Sequence, residues 1–278
     1  MNIPRGILWY ALCIAAVLAF AGTAMLAVAH NQPPGTVLDL SDYHVTFSDD
    51  FAQLSLSAHG PGTRWTTHTP WHGDFGDAVF SDPDAAVFKA TPDGLMIIAS
   101  RGADGKWRSG LISSAWADNQ PDAGFTQKYG YFEMTAKLPD GMGTWPAFWL
   151  IGSDKSRSAA EIDVIEYYGG FPRYFHATEH VWVNGRDQRQ LSVRPEVPKG
   201  QLSSAFNQFG VLITPQTTTF YLNRHEFWST QTPPEYCQPM YMLANLALGS
   251  GWPISGLHSP IIMQIKDIKA WQRNKPWN

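Results

Sequence analysis

Residues 161–166 read Glu-Ile-Asp-Val-Ile-Glu, so three carboxylates lie within a run of β-branched residues. These β-branched residues favour a pleated, half-buried surface, and no helix cap or helical apolar period competes with that interpretation. Because side chains alternate along a strand, the first two acids share a face, whereas Glu166 would point into the opposite, apolar face. One extra residue in a bulge brings all three acids to one face. The motif therefore predicts a strand with a bulge at Val164 or Ile165.

Three carboxylates on one face repel each other, so at least one is expected to keep its proton while another stays ionised. Glycoside hydrolysis uses such a pair. One group protonates the departing glycosidic oxygen, and another attacks the anomeric carbon or activates water. From the spacing alone, a solvated strand face remains an alternative, and so does a calcium site, although calcium ligands come more often from loops.

The motifs upstream of the three acids are specific. They read Ser-Gly-Leu-Ile-Ser-Ser from 109, Lys-Tyr-Gly-Tyr-Phe-Glu-Met from 128, Lys-Leu-Pro-Asp-Gly from 137 and Trp-Pro-Ala-Phe-Trp-Leu from 145. Together with the acid motif they resemble the catalytic core of glycoside hydrolase family 16, and the similarity extends from about Phe47 to Trp271. The two residues between the Asp and the second Glu are similar to the laminarinase-like branch, which also includes bacterial exopolysaccharide endo-glycanases.

This resemblance implies an all-β fold, an antiparallel β-sandwich of the concanavalin A-like jelly-roll type with a concave substrate cleft. Short β-rich runs that alternate with Gly, Pro, Asp and Asn clusters are typical of the same fold class. The resemblance also implies a retaining endo-β-glycanase. Glu161 would be the nucleophile, Glu166 the general acid and base, and Asp163, hydrogen-bonded to Glu161, would hold the nucleophile. Retention predicts carboxyl groups about 5 to 5.5 Å apart.

The substrate expected from the resemblance is a β-linked polysaccharide, such as β-1,3-glucan, β-1,3-1,4-glucan or a related bacterial exopolysaccharide. Two alternatives remain. A transglycosylase would use the same acids with a sugar acceptor in place of water. A lectin-like protein would bind carbohydrate on the same sandwich without turnover, since a fold does not decide function.

Six further residues are candidate substrate contacts, mostly aromatic side chains that can pack on sugar rings. They are Trp145, Trp149, His180, Trp182, Asn245 and Trp252. Alternation places the first two on one strand face, where the resemblance favours sugar stacking, while composition alone would assign them to the core. His180, Asn245 and Trp252 fall in segments that resemble the cleft of the family.

The segment His176-Ala-Thr-Glu179-His180 also fits the H-x-x-E-H pattern of zinc peptidases, whose chemistry requires a helix. The Tyr, Phe, Val and Trp residues around it predict a strand instead, in which residues four apart lie about 13 Å from each other. On that strand, both histidines would face the acids. Glu179 would fall on the apolar face and need a partner.

The composition and single residues indicate which partners and cofactors the protein is expected to bind. With a net charge of -4 and no basic run, the chain is not expected to bind nucleic acid. We expect a monomer that needs no cofactor for catalysis. Asp267 resembles a position that often ligates a structural calcium in the family, together with a residue near Asp49 or Asp50. Residues 60–86 predict a long aromatic loop, either structural or sugar-binding.

The N-terminus predicts export. Residues 7–29 are continuously apolar or small and end in Ala27-Val28-Ala29, a pattern that fits a cleavage site. We therefore expect a signal peptide or membrane anchor at 1–30, a linker at 31–44 and a catalytic domain at 45–273. The domain would lie outside the cytoplasm, secreted, periplasmic or anchored in the inner membrane through residues 7–29.

Overall fold

The computed structural model describes residues 35–120 and 122–277. The expected signal peptide or anchor and the first residues of the expected linker lie outside this part of the chain. Within the described residues, no helix combines the length and the apolar character that crossing a bilayer requires.

The described chain is almost entirely β-structure. The strands are β1 Tyr43–Asp49, β2 Leu56–Ser57, β3 Trp65–Thr66, β4 Val79–Phe80, β5 Phe88–Thr91, β6 Gly94–Arg101, β7 Trp107–Ser109, β8 Leu111–Ser113, β9 Gly130–Lys137, β10 Thr144–Gly152, β11 Ala159–Glu166, β12 His176–Val183, β13 Arg186–Val193, β14 Asn207–Ile213, β15 Thr217–Leu222, β16 His225–Gln231, β17 Met240–Leu248 and β18 Ile261–Arg273. The short helix α1 covers Gln201–Ser204, and a 3-10 turn covers Pro234–Tyr236.

The strands form two sheets, which confirms the predicted sandwich. The inner sheet has eight strands in the order β13-β12-β11-β10-β17-β8-β3-β2. The outer sheet has ten, in the order β16-β15-β14-β9-β18-β6-β7-β4, with β1 beside β18 and β5 beside β6. Almost all pairings are antiparallel; β2 with β3 and β4 with β7 are parallel.

Alternation along β10 separates the sandwich core from the opposite face of the inner sheet. Phe148 and Leu150 are fully buried in the main apolar cluster, between the two sheets. Trp145, Ala147 and Trp149 belong to a second cluster on the other face. The predicted division of this motif between two faces is therefore confirmed, and the second face carries the candidate site.

The predicted bulge in β11 is confirmed at Val164. Against β10, Asp163 pairs with Trp149 while Ile165 pairs with Phe148, which leaves Val164 without a partner. The register against β12 shifts in the same place. Val164 and Ile165 are both buried in the core. The extra residue therefore adds an apolar side chain to the core and leaves Glu166 on the other face.

The folded domain begins earlier than the sequence predicts. Val37, inside the expected linker 31–44, forms a β-bridge with His225. Leu38 and Leu40 pack against an apolar cluster on the outer sheet, and β1 begins at Tyr43. The boundary placed at residue 45 is therefore too late. Apolar side chains scattered in a Pro- and Gly-containing segment carry no period that would reveal this docking.

Candidate active site

The three acids of the central motif lie together on the concave face of the inner sheet. Their partners across β10 are Ile151, Trp149 and Ala147, and directly paired residues share a face. All three partners belong to the second apolar cluster, outside the sandwich core. The bulge therefore places Glu166 on the same face as Glu161 and Asp163, outside the core.

Glu161 is held by an indole. Trp182 Nε1 donates to Glu161 Oε2 at 2.5 Å. Burial, followed by the nearby charge of Asp163, raises the pKa of Glu161 to about 7, while His180 and the indole N–H act in the opposite direction. Glu161 is therefore a carboxyl group poised to ionise near neutral pH.

Glu166 has a matching arrangement. Trp145 Nε1 donates to Glu166 Oε1 at 3.0 Å, and the Tyr168 hydroxyl donates to the same oxygen at 3.3 Å. Burial and then the charge of Asp163 raise the pKa of Glu166 to about 8. Of the two glutamates, Glu166 thus holds its proton to the higher pH.

Asp163 lies between the glutamates and is bonded to His180. His180 Nε2 is 3.2 Å from Asp163 Oδ2, and His180 Nδ1 is 2.5 Å from Asp187 Oδ2. Burial lowers the pKa of His180, but its hydrogen bonds to both carboxylates outweigh this and raise the pKa well above its usual range. The structure therefore gives Asp163 an imidazolium partner in place of the expected hydrogen bond to Glu161.

Trp149 and Asn245 form a buried unit beneath this face. Trp149 is only 5% exposed, and its indole N–H donates to Asn245 Oδ1 at 2.9 Å. Asn245 is fully buried and donates in turn to the carbonyl of Trp145 at 3.3 Å. Asn245 therefore links the Trp149 indole to the backbone of Trp145.

Trp182 and Trp252 are the more accessible of the predicted contacts. The Trp182 ring stacks on the ring of His180, with centroids 5.2 Å apart. Trp252 is 39% exposed and packs edge-on against Phe171, which is 41% exposed. This pair lies at the rim beyond Tyr168, whose carbonyl accepts the backbone N–H of Phe171.

The H-x-x-E-H segment forms a strand, β12, as predicted. His176 pairs with Glu166 and His180 pairs with Glu161, so both histidines face the acids. Burial, followed by the charge of Arg194, lowers the pKa of His176 to about 4, so this imidazole is neutral at pH 7. Glu179 lies on the core side and finds the partner that the sequence argument demanded, which is Arg189 at 2.6 Å.

Asp267, the residue expected to ligate calcium, has two polar side-chain neighbours. It lies on the outer face of β18, where Thr135 Oγ1 donates to it at 3.0 Å and Lys269 Nζ is 3.3 Å away. Asp49 points inward instead and accepts the indole N–H of Trp65. Asp49 pairs with Ile268, the residue after Asp267, so these two acids lie on adjacent strands. Calcium binding here stays a prediction.

Sequence reasoning missed several residues of the site. Tyr168 follows Glu166 by two positions, so strand alternation was a usable signal for it. Asp187 was harder to find, because a register shift between Val181 and Trp182 is what brings it to His180. The long loop at 60–86 contributes further side chains, which no period in the sequence marks.

Two of those loop side chains cover the aromatic floor. The Trp71 ring lies edge-on to Trp149 at 6.0 Å, and Phe75 lies against Trp145 at 5.5 Å. Lys155 Nζ is 4.0 Å from the centroid of the Trp71 ring. The loop is thus an ordered wall of the cleft.

Comparison with known proteins gives a consistent result. Residues 109–259 match the model of glycosyl hydrolases family 16. Endo-1,3-1,4-beta-glycanase EglC of Rhizobium meliloti (strain 1021) is 31% identical, with 94% of this chain and 58% of that protein aligned. Endo-1,3-1,4-beta-glycanase ExsH of the same organism is also 31% identical, over 86% of this chain and 54% of that protein. The chain spans little more than half the length of these relatives.

Solved structures share the fold. The non-specific endo-beta-1,3(4)-glucanase SCLam superposes with a TM-score of 0.69 at 19% identity, covering 87% of this chain and 94% of that one. The catalytic domain of an endo-1,3-beta-glucanase from Thermotoga petrophila RKU-1 gives a TM-score of 0.68 at 20% identity, covering 84% and 99%. At these identities the likeness supports the sandwich architecture.

Proposed function

Because the chain belongs to glycoside hydrolase family 16, we propose that it is a retaining endo-β-glycanase. The observation that carries this proposal is the set of three carboxylates on the concave face of β11, two of them with raised pKa values and different hydrogen-bond donors. A solvated strand face would not bury them, and a binding protein has no need for mutually perturbed acids.

In the first step, Glu166 acts as the acid and Glu161 as the nucleophile. The proton of Glu166 passes to the glycosidic oxygen as its bond to the anomeric carbon breaks, and a carboxylate oxygen of Glu161 bonds to that carbon. Membership of family 16 supports this assignment, because Glu161 and Glu166 match the positions of the nucleophile and the acid in the family motif, and burial raises the pKa values of both groups.

In the second step, the roles of Glu166 reverse. The carboxylate of Glu166 takes a proton from water, the water oxygen attacks the anomeric carbon, and Glu161 leaves as a carboxylate. The product keeps the anomeric configuration of the substrate. The indole donors of Trp145 and Trp182 stabilise each carboxylate when it is charged.

Asp163 and His180 set the electrostatics of both steps. His180 bonds to Asp163 and Asp187 and so fixes the position of Asp163, whose charge raises the pKa values of both glutamates.

The proposed substrate is a β-linked polysaccharide, β-1,3-glucan, β-1,3-1,4-glucan or a related bacterial exopolysaccharide. The partly exposed indole of Trp182 and the exposed pair of Trp252 and Phe171 offer apolar faces along the cleft. Such faces pack against the C–H faces of sugar rings. The names of EglC and ExsH, which are 1,3-1,4-beta-glycanases, support mixed linkages as the first substrates to test.

The test is reducing-end release from laminarin, lichenan, agarose, carrageenan and a succinoglycan-type polymer. Glu161→Gln and Glu166→Gln are each expected to lower the rate by orders of magnitude. Glu196→Gln is the matched control, because this acid is 57% exposed and forms its ion pair with Arg173 and not with a residue of the proposed mechanism. Binding to a polymer without release would move the assignment to a lectin-like protein.

A transglycosylase remains the second candidate, because the same three acids serve both reactions. Chain-length analysis of products with added oligosaccharide acceptors separates the two. Products longer than the donor, formed at the expense of hydrolysis, would identify transfer.

We also propose that the domain works outside the cytoplasm, secreted, periplasmic or anchored through residues 7–29. The support is the uninterrupted apolar character of that segment and its Ala27-Val28-Ala29 end. N-terminal sequencing of the exported protein separates a cleaved signal peptide from a retained anchor.

A further inference from the structure

Three histidines meet at the end of the inner sheet, away from the acids. His59 follows β2, while His68 and His72 follow β3. The rings of His59 and His68 stack with centroids 4.8 Å apart, and His59 Nδ1 lies 3.1 Å from His72 Nδ1. A glycoside hydrolase mechanism makes no use of these imidazoles, so the cluster needs a separate explanation.

Carboxylates complete this cluster. His68 Nε2 is 2.9 Å from Asp82 Oδ1, and His68 Nδ1 is 3.5 Å from Asp74 Oδ1. His59, His68 and Asp82 each offer one ligand atom, and these three atoms all lie within 4.8 Å of one another. It is the one group of three or more His, Cys, Asp or Glu side chains with this geometry in residues 35–120 and 122–277.

The geometry points to a divalent transition-metal site, and we propose that His59, His68 and Asp82, with His72 as a fourth ligand, bind an ion such as Zn²⁺. Tetrahedral zinc with bonds of about 2.0–2.1 Å places neighbouring ligand atoms about 3.3 Å apart. The 3.1 Å between His59 and His72 is already close to that spacing. The remaining ligand atoms lie within 4.8 Å of one another and need to approach by up to about 1.5 Å to reach that spacing. His59 and Asp82 are exposed and can move toward His68, whose side chain is only 15% exposed.

The donor set selects the kind of metal. Imidazole nitrogens with a single carboxylate suit zinc, copper or nickel, whereas calcium and magnesium require mostly oxygen ligands. The second carboxylate, Asp74, lies on the Nδ1 side of His68 and is positioned to orient that ring.

The ion would act on the wall of the cleft. Three of its ligands flank the segment that carries Trp71 and Phe75, and His72 lies within that segment. These two aromatic side chains cover Trp149 and Trp145. Binding would tie residue 59 to residues 68, 72 and 82 and so close this loop with a crosslink. Such a link stabilises the folded state by mass action.

Isothermal titration of the chelator-treated full chain with Zn²⁺ tests the site. We expect one tight ion per chain, and at least about tenfold weaker binding in His59→Gln and in Asp82→Asn. Both are exposed side chains, so the variants are expected to fold, which circular dichroism checks. His258→Gln, another exposed histidine, is the matched control and should bind as the wild type does.

Two further measurements do not depend on enzyme activity. Zn²⁺ should raise the thermal unfolding midpoint of the wild type but not of the His59→Gln, Asp82→Asn double variant. X-ray absorption should show nitrogen and oxygen ligands without sulfur. Binding that survives in both single variants would overturn the proposal, and so would binding that is lost in Cys237→Ser, the exposed free cysteine.

Discussion

At the scale of single residues, the two glutamates at the proposed site, Glu161 and Glu166, differ mainly in which indole donates a hydrogen bond to them. Both are partly buried beside Asp163, and the loss of water contact and the charge of Asp163 raise both pKa values. Each also accepts one indole N–H, from Trp182 for Glu161 and from Trp145 for Glu166. Because a donor stabilises the charged carboxylate, each indole lowers the pKa of its own partner and can be used to test the assignment of roles.

The pH profile of kcat/KM should therefore respond to each indole separately. Activity should rise as Glu161 ionises near pH 7 and fall as Glu166 loses its proton near pH 8. Trp182→Phe removes the donor to Glu161 and should move the acidic limb up by about one pH unit. Trp145→Phe should move the basic limb up instead.

The matched control for these variants is Trp149→Phe. Trp149 lies on the same strand face, but its N–H donates to Asn245 and not to an acid. Both limbs should stay in place in this variant. If Trp182→Phe moved the basic limb instead, the roles given to the two glutamates would have to be exchanged.

Glu166 should also make the fold less stable as pH rises. Its pKa is about 8 in the folded protein against an ordinary 4.5, so the folded state holds a proton that the unfolded state has released. The stability from this difference is present below pH 4.5 and is lost as pH rises to about 8. Glu166→Gln lacks this dependence and should be more stable than wild type by on the order of 2 kcal/mol at pH 8.5.

Urea unfolding of both proteins at pH 5 and pH 8.5 measures this difference. The advantage of the variant should be small at pH 5 and grow toward pH 8.5. Glu196→Gln, at an exposed position, should show no such growth. An advantage that shrinks with pH would mean that Glu166 is stabilised as a carboxylate.

At the scale of elements, the bulge in β11 decides whether the site exists. Val164 is the residue without a partner in β10, and it lies buried in the core. Deleting it restores strict alternation and turns Glu166 toward the apolar interior, where a carboxylate is costly. The deletion should lower the hydrolysis rate by orders of magnitude and destabilise the fold by several kcal/mol.

Val164→Ala distinguishes the effect of the strand register from the effect of core packing. It keeps the extra residue, so the three acids stay on one face, and the cost is a small cavity of about 1–3 kcal/mol. Activity in this variant should stay within a few-fold of wild type. A deletion variant that retained full activity would show that alternation does not control the position of Glu166.

The elements also show what sequence could and could not predict. The bulge was predictable because a buried carboxylate among Ile and Val side chains has a large free-energy cost, so the local pattern alone demanded the extra residue. The pairing of His180 with Asp187 depends on a second irregularity, near Val181. A regular strand there would bury no charged group, so the local sequence gives no reason to expect the irregularity. A bulge that avoids burying a charged side chain can thus be predicted from the local sequence, whereas the register between two strands cannot.

At the scale of the whole molecule, the same limit applies to the cleft wall and the termini. The sandwich followed from short alternating runs, but the contact of Trp71 with Trp149 joins a loop without a period to a distant strand. The docking of Val37 beside His225 is of the same kind, since it spans nearly the whole domain. Both contacts form only after the two sheets have assembled, so the local sequence does not predict them.

The two sheets are joined by a buried charge at one edge of the sandwich. Glu179 of β12 is fully buried and bonds to Arg189 of β13, while Thr230 of β16, in the outer sheet, donates to the other oxygen of Glu179. Arg189 also donates to the carbonyl of Gln231. Burial raises the pKa of Glu179 despite these partners, so its charge depends on them.

Replacing Arg189 alone should lower the stability of the fold more than replacing Arg189 and Glu179 together. Arg189→Met leaves Glu179 buried and unpaired and should destabilise the fold by about 3 kcal/mol in urea unfolding at pH 7. The double variant Glu179→Leu, Arg189→Met should recover most of that loss, because an apolar pair needs no charge compensation there. Full additivity of the two single changes would show instead that the pair carries no coupling energy and that the sheets are held by apolar packing alone.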